Sequence, residues 1–307
     1  MAKSAKTAAD QNNLLCAVIL TALPIEYKAV RTHLTDLREE THPRGTVYER
    51  GNFSSAGRSW EIGIVEIGAG NAGAVLETEM AIQYFNPSVV LFVGVAGGLK
   101  DVRLGDVVAA TKVYGYESGK AKSTFEPRPD MGISTFRMVH RARAEARKDD
   151  WLQRLGGSVP TPAPRVFVGP IAAGEKVVAS TRSDIYKFLR SSYGDALAVE
   201  MEGYGFVKAV HANPQVNALI IRSISDLIDR KSDTDATGYQ DIAARHASAF
   251  AYEILAKLVV DVDPDKQRET NRGTLHLVVT GSRREIEQMI PDILNLTMSH
   301  LTNLLAF

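Results

Sequence analysis

The chain has 307 residues, enough for one large or two ordinary domains at about 150 residues each, with a core that needs neither disulfides nor a structural metal. Its 36 Lys and Arg balance 36 Asp and Glu. The resulting formal net charge of +0 excludes the broad electropositive surface that nucleic acids and anionic membranes demand, so any anion must meet a local pocket. Cys16 is the single cysteine, which excludes disulfide frameworks and multi-cysteine zinc clusters and fits a reducing, cytoplasmic setting.

Lys3 and Lys6 ahead of the apolar run Leu14 to Leu23 imitate a secretory signal. Asp10 to Asn13 separate charge from run, however, and no small-residue cleavage site precedes Pro24, so the run reads as a buried first strand. From there, stretches rich in Val, Ile and Leu alternate with helical ones, the pattern of an α/β sheet covered on both faces. Strands are predicted over Leu14 to Thr21, Val47 to Arg50, Trp60 to Ile67, Ser88 to Val93, Asp106 to Val113, Arg165 to Ile171, Ala196 to Val199 and Ala218 to Ser223. Helices are predicted over Pro24 to Leu37, Asn71 to Phe85, Glu202 to Ala212 and Gln240 to Val260. The polar stretch Lys120 to Pro164 holds Pro127, Pro129, Pro160, Pro162, Pro164 and a basic helical segment, Arg137 to Trp151. It reads as an insertion that overhangs a site. Asp261 to Arg272 reads as a charged linker into a strand, Thr274 to Thr280, and a helix, Arg283 to Leu305. The longest apolar run, Val89 to Leu99, is broken by Gly94, Gly97 and Gly98 and falls short of the ~18 residues a membrane span needs, so a soluble protein is expected.

Four segments suit chemistry as well as scaffolding. In Thr21 to Glu26 a carboxylate arrives one turn after the first strand, where a partner for the free helix amides is the plain alternative. Ile67 to Gly73 and Val93 to Leu99 place glycines at strand ends, which lets bare amides approach a ligand or simply makes tight turns. Gly68-Ala69-Gly70 begins a dinucleotide fingerprint, but Phe85-Asn86-Pro87 stands where the acid closing the next strand belongs. Finally, one strand ends in Glu200 and Glu202 and another in Ser225 and Asp226. Acids there need partners if buried, and open α/β sheets bind ligands beyond such strand ends. A Ser-His-Asp hydrolase lacks its Gly-x-Ser-x-Gly elbow, and the 7 His are too scattered for a metal centre.

Val95-Ala96-Gly97-Gly98-Leu99, Leu104-Gly105-Asp106-Val107-Val108, Val199-Glu200-Met201-Glu202 and Ile221-Arg222-Ser223-Ile224-Ser225-Asp226 resemble, in this order, the purine nucleoside phosphorylase and nucleosidase superfamily over about Cys16 to Leu258. The resemblance implies a single α/β nucleoside-phosphorylase-like domain over residues 14–260, with a mixed central sheet flanked by helices and a basic insertion at 120–164. A linker at 261–272 and a small C-terminal strand-helix extension at 273–307 complete the expected organisation. The pattern is similar to that of the methylthioadenosine/S-adenosylhomocysteine nucleosidases, which place a catalytic glutamate where Glu26 stands. Thr21 to Tyr27 lacks the arginine-bearing phosphate loop of many phosphorylases, which favours water as the nucleophile.

On that resemblance the chain is a purine nucleosidase, an N-glycosyl hydrolase with no cofactor and no metal. Asp226 is the general acid at purine N7, and Glu26 orients and deprotonates water. Glu202 accepts from the ribose hydroxyls, Met201 packs on the sugar, and Gly68, Ala69, Gly70, Gly94, Val95, Ala96 and Gly97 line the sugar side. Val177 or Val178 stands where the family stacks an aromatic on the base, with Tyr239 as a substitute, while Arg222 and Ser225 hold Asp226, a buried structural ion pair being the alternative for Arg222. The insertion, through Phe125 to Pro129 and Arg137 to Arg147, is also similar to nucleosidase effector domains of bacterial anti-phage systems and NLR-like proteins, which are associated with removing the base from nucleotides such as ATP. Lys176, Arg128 and Arg137 are then candidate phosphate contacts, a solvated basic helix being the alternative. The resemblance implies a small-molecule purine nucleoside or nucleotide as substrate, a homo-oligomer (dimer or higher) and an activating partner protein, with no nucleic acid and no membrane. The rival readings are a phosphate-dependent phosphorylase and a non-catalytic nucleotide sensor.

Overall fold

The computed structural model describes residues 15–123, 125–128, 130–157, 159–228 and 238–260. The first half runs β1 (Leu15–Thr21), α1 (Pro24–Arg31), β2 (Thr35–Thr41), β3 (Val47–Ser55), β4 (Arg58–Glu66), α2 (Asn71–Phe85), β5 (Val89–Gly98) and β6 (Val107–Gly115). A hairpin, β7 (Gly119–Ala121) and β8 (Phe125–Pro127), leads to β9 (Asp130–Ile133), α3 (Phe136–Glu145) and a 3-10 turn at Asp150–Leu155. Then follow β10 (Val166–Ala173), α4 (Asp184–Ser192), β11 (Ala198–Glu200), α5 (Gly203–Ala212), β12 (Asn217–Asp226) and α6 (Tyr239–Lys257).

The strands build one mixed sheet in the order β11-β10-β6-β12-β5-β1-β4-β3-β2, with β9 also on β6. β1, β4, β5 and β12 are mutually parallel where they pair, β6 runs against β12, and β11 reaches back to pair antiparallel with β5. The end of the sheet from β11 to β5 is thereby curled shut. Burial explains the central strands: Ala17 to Leu20, Val89 to Phe92 and Leu219 to Ile221 are inaccessible on both faces, which is why they read as unbroken apolar runs. Val18, Leu20, Val90, Phe92 and Ile220 pack with Ala74 and Ala81 of α2 and Phe206 of α5, while the intervening residues face the side where α1 and α6 pack together.

Three expectations are corrected. The helix predicted over Pro24 to Leu37 ends at Arg31, and Thr35–Thr41 forms the edge strand β2 on β3. Leu34 and Leu37 turn onto Gly51, where a Cβ would come within 3.0 Å of both. The strand predicted to stop at Val93 continues to Gly98, with the three glycines inside it. Part of the insertion packs into the body of the domain: β9 pairs with β6, and α3 buries Met138, Val139 and Ala142 against α6 and β12. Thr135, which opens α3, bonds Ala218 at the start of β12, so this helix stands by the opposite end of that strand from Asp226. Leu14, the linker at 261–272 and the extension at 273–307 lie outside the described residues.

Candidate active site

The carboxyl ends of β1, β5, β11 and β12 surround a cavity of about 340 Å³, lined by Ala22, Leu23, Glu26, Ala69, Val95, Ala96, Gly97, Lys176, Val177, Val178, Val199, Glu200, Met201, Glu202, Ser225, Asp226 and Gln240. Four carboxylates on its floor come from three separate stretches of chain, and none is more than 6% exposed.

Glu26 sits in the first turn of α1, opened by Pro24, and its side chain folds back onto the helix start. Oε2 accepts from the amides of Ala22 at 2.7 Å and Leu23 at 2.9 Å, and Oε1 from the amide of Val95 at 2.7 Å. Burial pushes the Glu26 carboxyl above its ordinary range, opposed by the Arg222 charge and these amides. The glycine at position 94 is required by proximity, since a Cβ there would lie 2.3 Å from both Glu26 Oε1 and Arg222 Nη1.

Glu200 and Glu202 close the end of β11. Glu200 accepts from the amides of Glu202 and Gly203 at the start of α5, and from Arg222 Nη2 at 2.6 Å. Glu202 accepts from the Gly70 amide at 3.1 Å and from Arg222 Nη2 at 3.4 Å. Burial, and then the Glu200 charge, push the Glu202 carboxyl up to about 7, against the pull of Arg222 and the Gly70 amide. Arg222 is wholly buried, with its guanidinium 4.2 Å from the centre of the Phe92 ring. Its Nε and Nη1 have no hydrogen-bond acceptor among the described residues.

Asp226 ends β12 just past a bulge in its pairing with β5. It accepts from Ser225 Oγ at 3.2 Å and from the amide of Ile228 at 3.1 Å. Ile228 holds that amide in place with φ of 66°, an unfavourable region for a β-branched residue that persists only where the surroundings enforce it. The turn before β6 clamps the same stretch: the Gly105 amide donates to the Ile224 carbonyl at 2.8 Å and the Ile224 amide to the Asp106 carbonyl at 2.9 Å. Ser223 Oγ and Nδ1 of the buried His246 meet the Gly105 carbonyl, and the Asp106 carboxylate accepts from the amides of Arg103 and Arg165. The Leu104-Gly105-Asp106 motif is therefore a brace for the strand that carries Asp226.

Of the residues singled out in the sequence, Glu26, Glu202, Asp226, Met201, Ala69, Val95, Ala96, Gly97, Val177, Val178, Ser225 and Lys176 meet at this cavity. Gly70 touches it through Glu202, while Gly68, Arg128, Arg137 and Tyr239 are not among its lining residues. Arg222 pairs with Glu200 and Glu202 in place of Asp226, and Ser225 alone of the expected pair holds that acid. Lys176 is already paired with Glu117. No aromatic side chain is among the described residues of the lining; Gln240, the neighbour of Tyr239, is. Gln240 and the brace through His246 are roles that spacing could not show, because α6 is distant in sequence. Elsewhere among the described residues, Glu145, Asp150 and Glu253 come within metal-ligand reach of one another, but Arg141, Lys148, Arg154 and Lys257 are paired with them.

Fold and site together define an α/β protein with an acid-floored ligand cavity at the carboxyl ends of its strands. The model of the phosphorylase superfamily matches residues 17–260, and the chain belongs to that family. It is 29% identical over 253 residues to the ATP nucleosidase Cap17 of Escherichia coli (strain KTE188), which covers 74% of this chain and 49% of the relative. It is 25% identical over 250 residues to the 5′-methylthioadenosine/S-adenosylhomocysteine nucleosidase of Geobacillus sp. (strain WCH70), covering 78% and 97% respectively. This chain spans about half the length of Cap17 and of another curated relative it matches. Among solved structures, the nucleosidase of that same type from Neisseria meningitidis, in complex with methylthio-immucillin-A, superposes with a TM-score of 0.65 at 24% identity, covering 80% of this chain and 100% of that one. The expected mixed sheet flanked by helices is thus the fold of this chain.

Proposed function

We propose that the protein is a hydrolytic N-glycosidase that releases adenine from a nucleoside or nucleotide, with water as the nucleophile. The observation that carries this reading is the state of the first loop. The amides of Ala22, Leu23 and Val95, which could otherwise cradle an inorganic phosphate, are all taken up by the carboxylate of Glu26. Those three amides are left with nothing to offer a second anion, which would also face repulsion, whereas water meets a base.

Cleavage builds positive charge on the ribose and negative charge on the departing base. Asp226 supplies the proton at purine N7, so that the base leaves neutral. Glu26 takes the proton of the attacking water. Glu202 accepts from the ribose hydroxyls, and Val177, Val178 and Val199 give the base an apolar wall. The likeness to Cap17 supports an ATP-type substrate, and Lys176 is the cation for it among the described lining residues. A defence role, activation by a partner protein and assembly into dimers or larger rings complete the proposal.

The test is chromatography of purified protein incubated with ATP, AMP, adenosine and methylthioadenosine, each with and without inorganic phosphate. Free adenine in equal yield in both conditions is expected. Base release that requires phosphate would contradict this reading and establish the phosphorylase.

A further inference from the structure

Of the four carboxylates on the cavity floor, the proposed chemistry uses Glu26, Glu202 and Asp226 and leaves Glu200 without a task. Its donors are all internal to the fold. Oε2 accepts from Arg222 Nη2 at 2.6 Å and from the Glu202 amide at 3.2 Å, and both oxygens accept from the Gly203 amide, at 2.9 and 3.0 Å. The carboxylate therefore lies on the start of α5, a helix with no acidic residue in its first turn and no side-chain cap from Glu202, its N-cap residue. The chain leaves room for this: a Cβ on residue 203 would lie 2.8 Å from Glu200 Oε1.

Glu202, two residues on, is served differently. It accepts from the Gly70 amide at 3.1 Å and from the same Arg222 Nη2 at the longer distance of 3.4 Å. One guanidinium nitrogen is thus shared by two carboxylates, and the shorter, stronger bond goes to Glu200. Without Glu200, that nitrogen turns to Glu202, and a carboxylate so engaged has less to offer a sugar hydroxyl. Resting on the nucleosidase reading, we propose that Glu200 is a positioning residue: by occupying Arg222 Nη2 and the first amides of α5, it keeps the carboxylate of Glu202 free for the ribose hydroxyls. The charged groups around Glu202 are Glu200 on β11, Arg222 on β12 and Glu26 on α1, with Glu175, on the loop after β10, across Gly70. Removing the Glu200 charge and tightening the Arg222 contact both favour the Glu202 anion, so both lower the pH at which it ionises.

Proteins labelled with carbon-13 at the glutamate carboxyl carbons are titrated by NMR without substrate, as wild type, Glu200→Gln and Glu200→Ala. The Glu202 signal is assigned by its loss in Glu202→Gln. Its midpoint is expected at about 7 in the wild type and lower by about one pH unit or more in Glu200→Gln. Glu200→Ala also removes the carboxylate, still leaves Glu26 and Glu202 to balance Arg222, and should shift the same way; it decides the matter if Glu200→Gln does not fold. KM for adenosine is then followed with pH. Its limb should move with the midpoint, and KM above the limb should be about 5-fold higher than in the wild type, because Arg222 now holds Glu202. A midpoint that stays or rises, a limb that stays in place, or an alkaline KM equal to that of the wild type would overturn the proposal. Absence of adenine release from every protein would refute the hydrolase reading, while the NMR midpoints still decide the role of Glu200.

Discussion

Two carboxylates beside the same guanidinium are both raised by burial and differ in what donates to them. Glu26 receives three amides, a fixed set of donors that together with the Arg222 charge pulls towards the anion a base must be, while burial, the larger effect, leaves the carboxyl raised. Glu202 receives one amide and a long contact from Arg222, and burial beside Glu200 raises it to about 7. As an acceptor for ribose hydroxyls it is effective only when ionised. KM for adenosine should therefore fall as pH rises through about 7, because protonated Glu202 gives way to the carboxylate across that range. In Glu202→Gln this limb of the profile should vanish and KM should rise about 10-fold or more, the worth of hydrogen bonds to a charged group. A pH-independent KM in the wild-type protein would contradict the assignment. The position of the site was partly legible: the motifs and the family resemblance they carry single out Glu26, Glu202 and Asp226, which meet at one cavity. The partners of Arg222 and Lys176 were not, since Glu200 and Glu117 become neighbours only through the closure of β11 on β5 and the approach of two loops.

At the scale of elements, the site depends on how closely α2 and α5 approach. The Gly205 amide donates to Asn71 Oδ1 at 2.8 Å, and the Asn71 amide nitrogen reaches across to Glu175 at 2.8 Å, so one side chain joins the starts of two helices to the loop of Lys176 and Val177. A Cβ on residue 205 would lie 2.1 Å from the Asn71 carbonyl oxygen, against 3.8 Å to the nearest atom for one on residue 73. Gly205→Ala should thus cost about 1–3 kcal/mol in stability and raise KM by displacing Glu202, while Gly73→Ala should be neutral or slightly stabilising in thermal unfolding. Equal behaviour of the two variants would count against this packing. The elements themselves were readable where burial is two-sided or a stop signal is strong: α2 has both expected ends, with Gly70 ahead and Asn86 in the left-handed region behind. β2 was not, because Thr35–Thr41 is an edge strand of charged residues, stabilised by pairing to β3 and by Arg38 and Arg50 bridging Glu40 and Glu61. Likewise, α3 reads as a free basic helix because its exposed arginines mask the buried row of Met138, Val139 and Ala142.

For the molecule as a whole, a balanced net charge conceals a strongly uneven distribution, with four acids and one cation among the described residues of a single cavity. Such a concentration of buried carboxylates is costly as scaffold and useful where a reaction builds positive charge on a sugar and needs both an acid and a base. The central claim is that Asp226 and Glu26 divide those two tasks in a reaction with water. The most direct measurement is the rate of adenine release from adenosine and ATP, without phosphate, by the wild-type protein, Asp226→Asn and Glu26→Gln, with folding checked by circular dichroism. Each substitution should lower kcat by about 100-fold or more while KM stays within a few-fold. Wild-type rates in either folded variant would contradict the account.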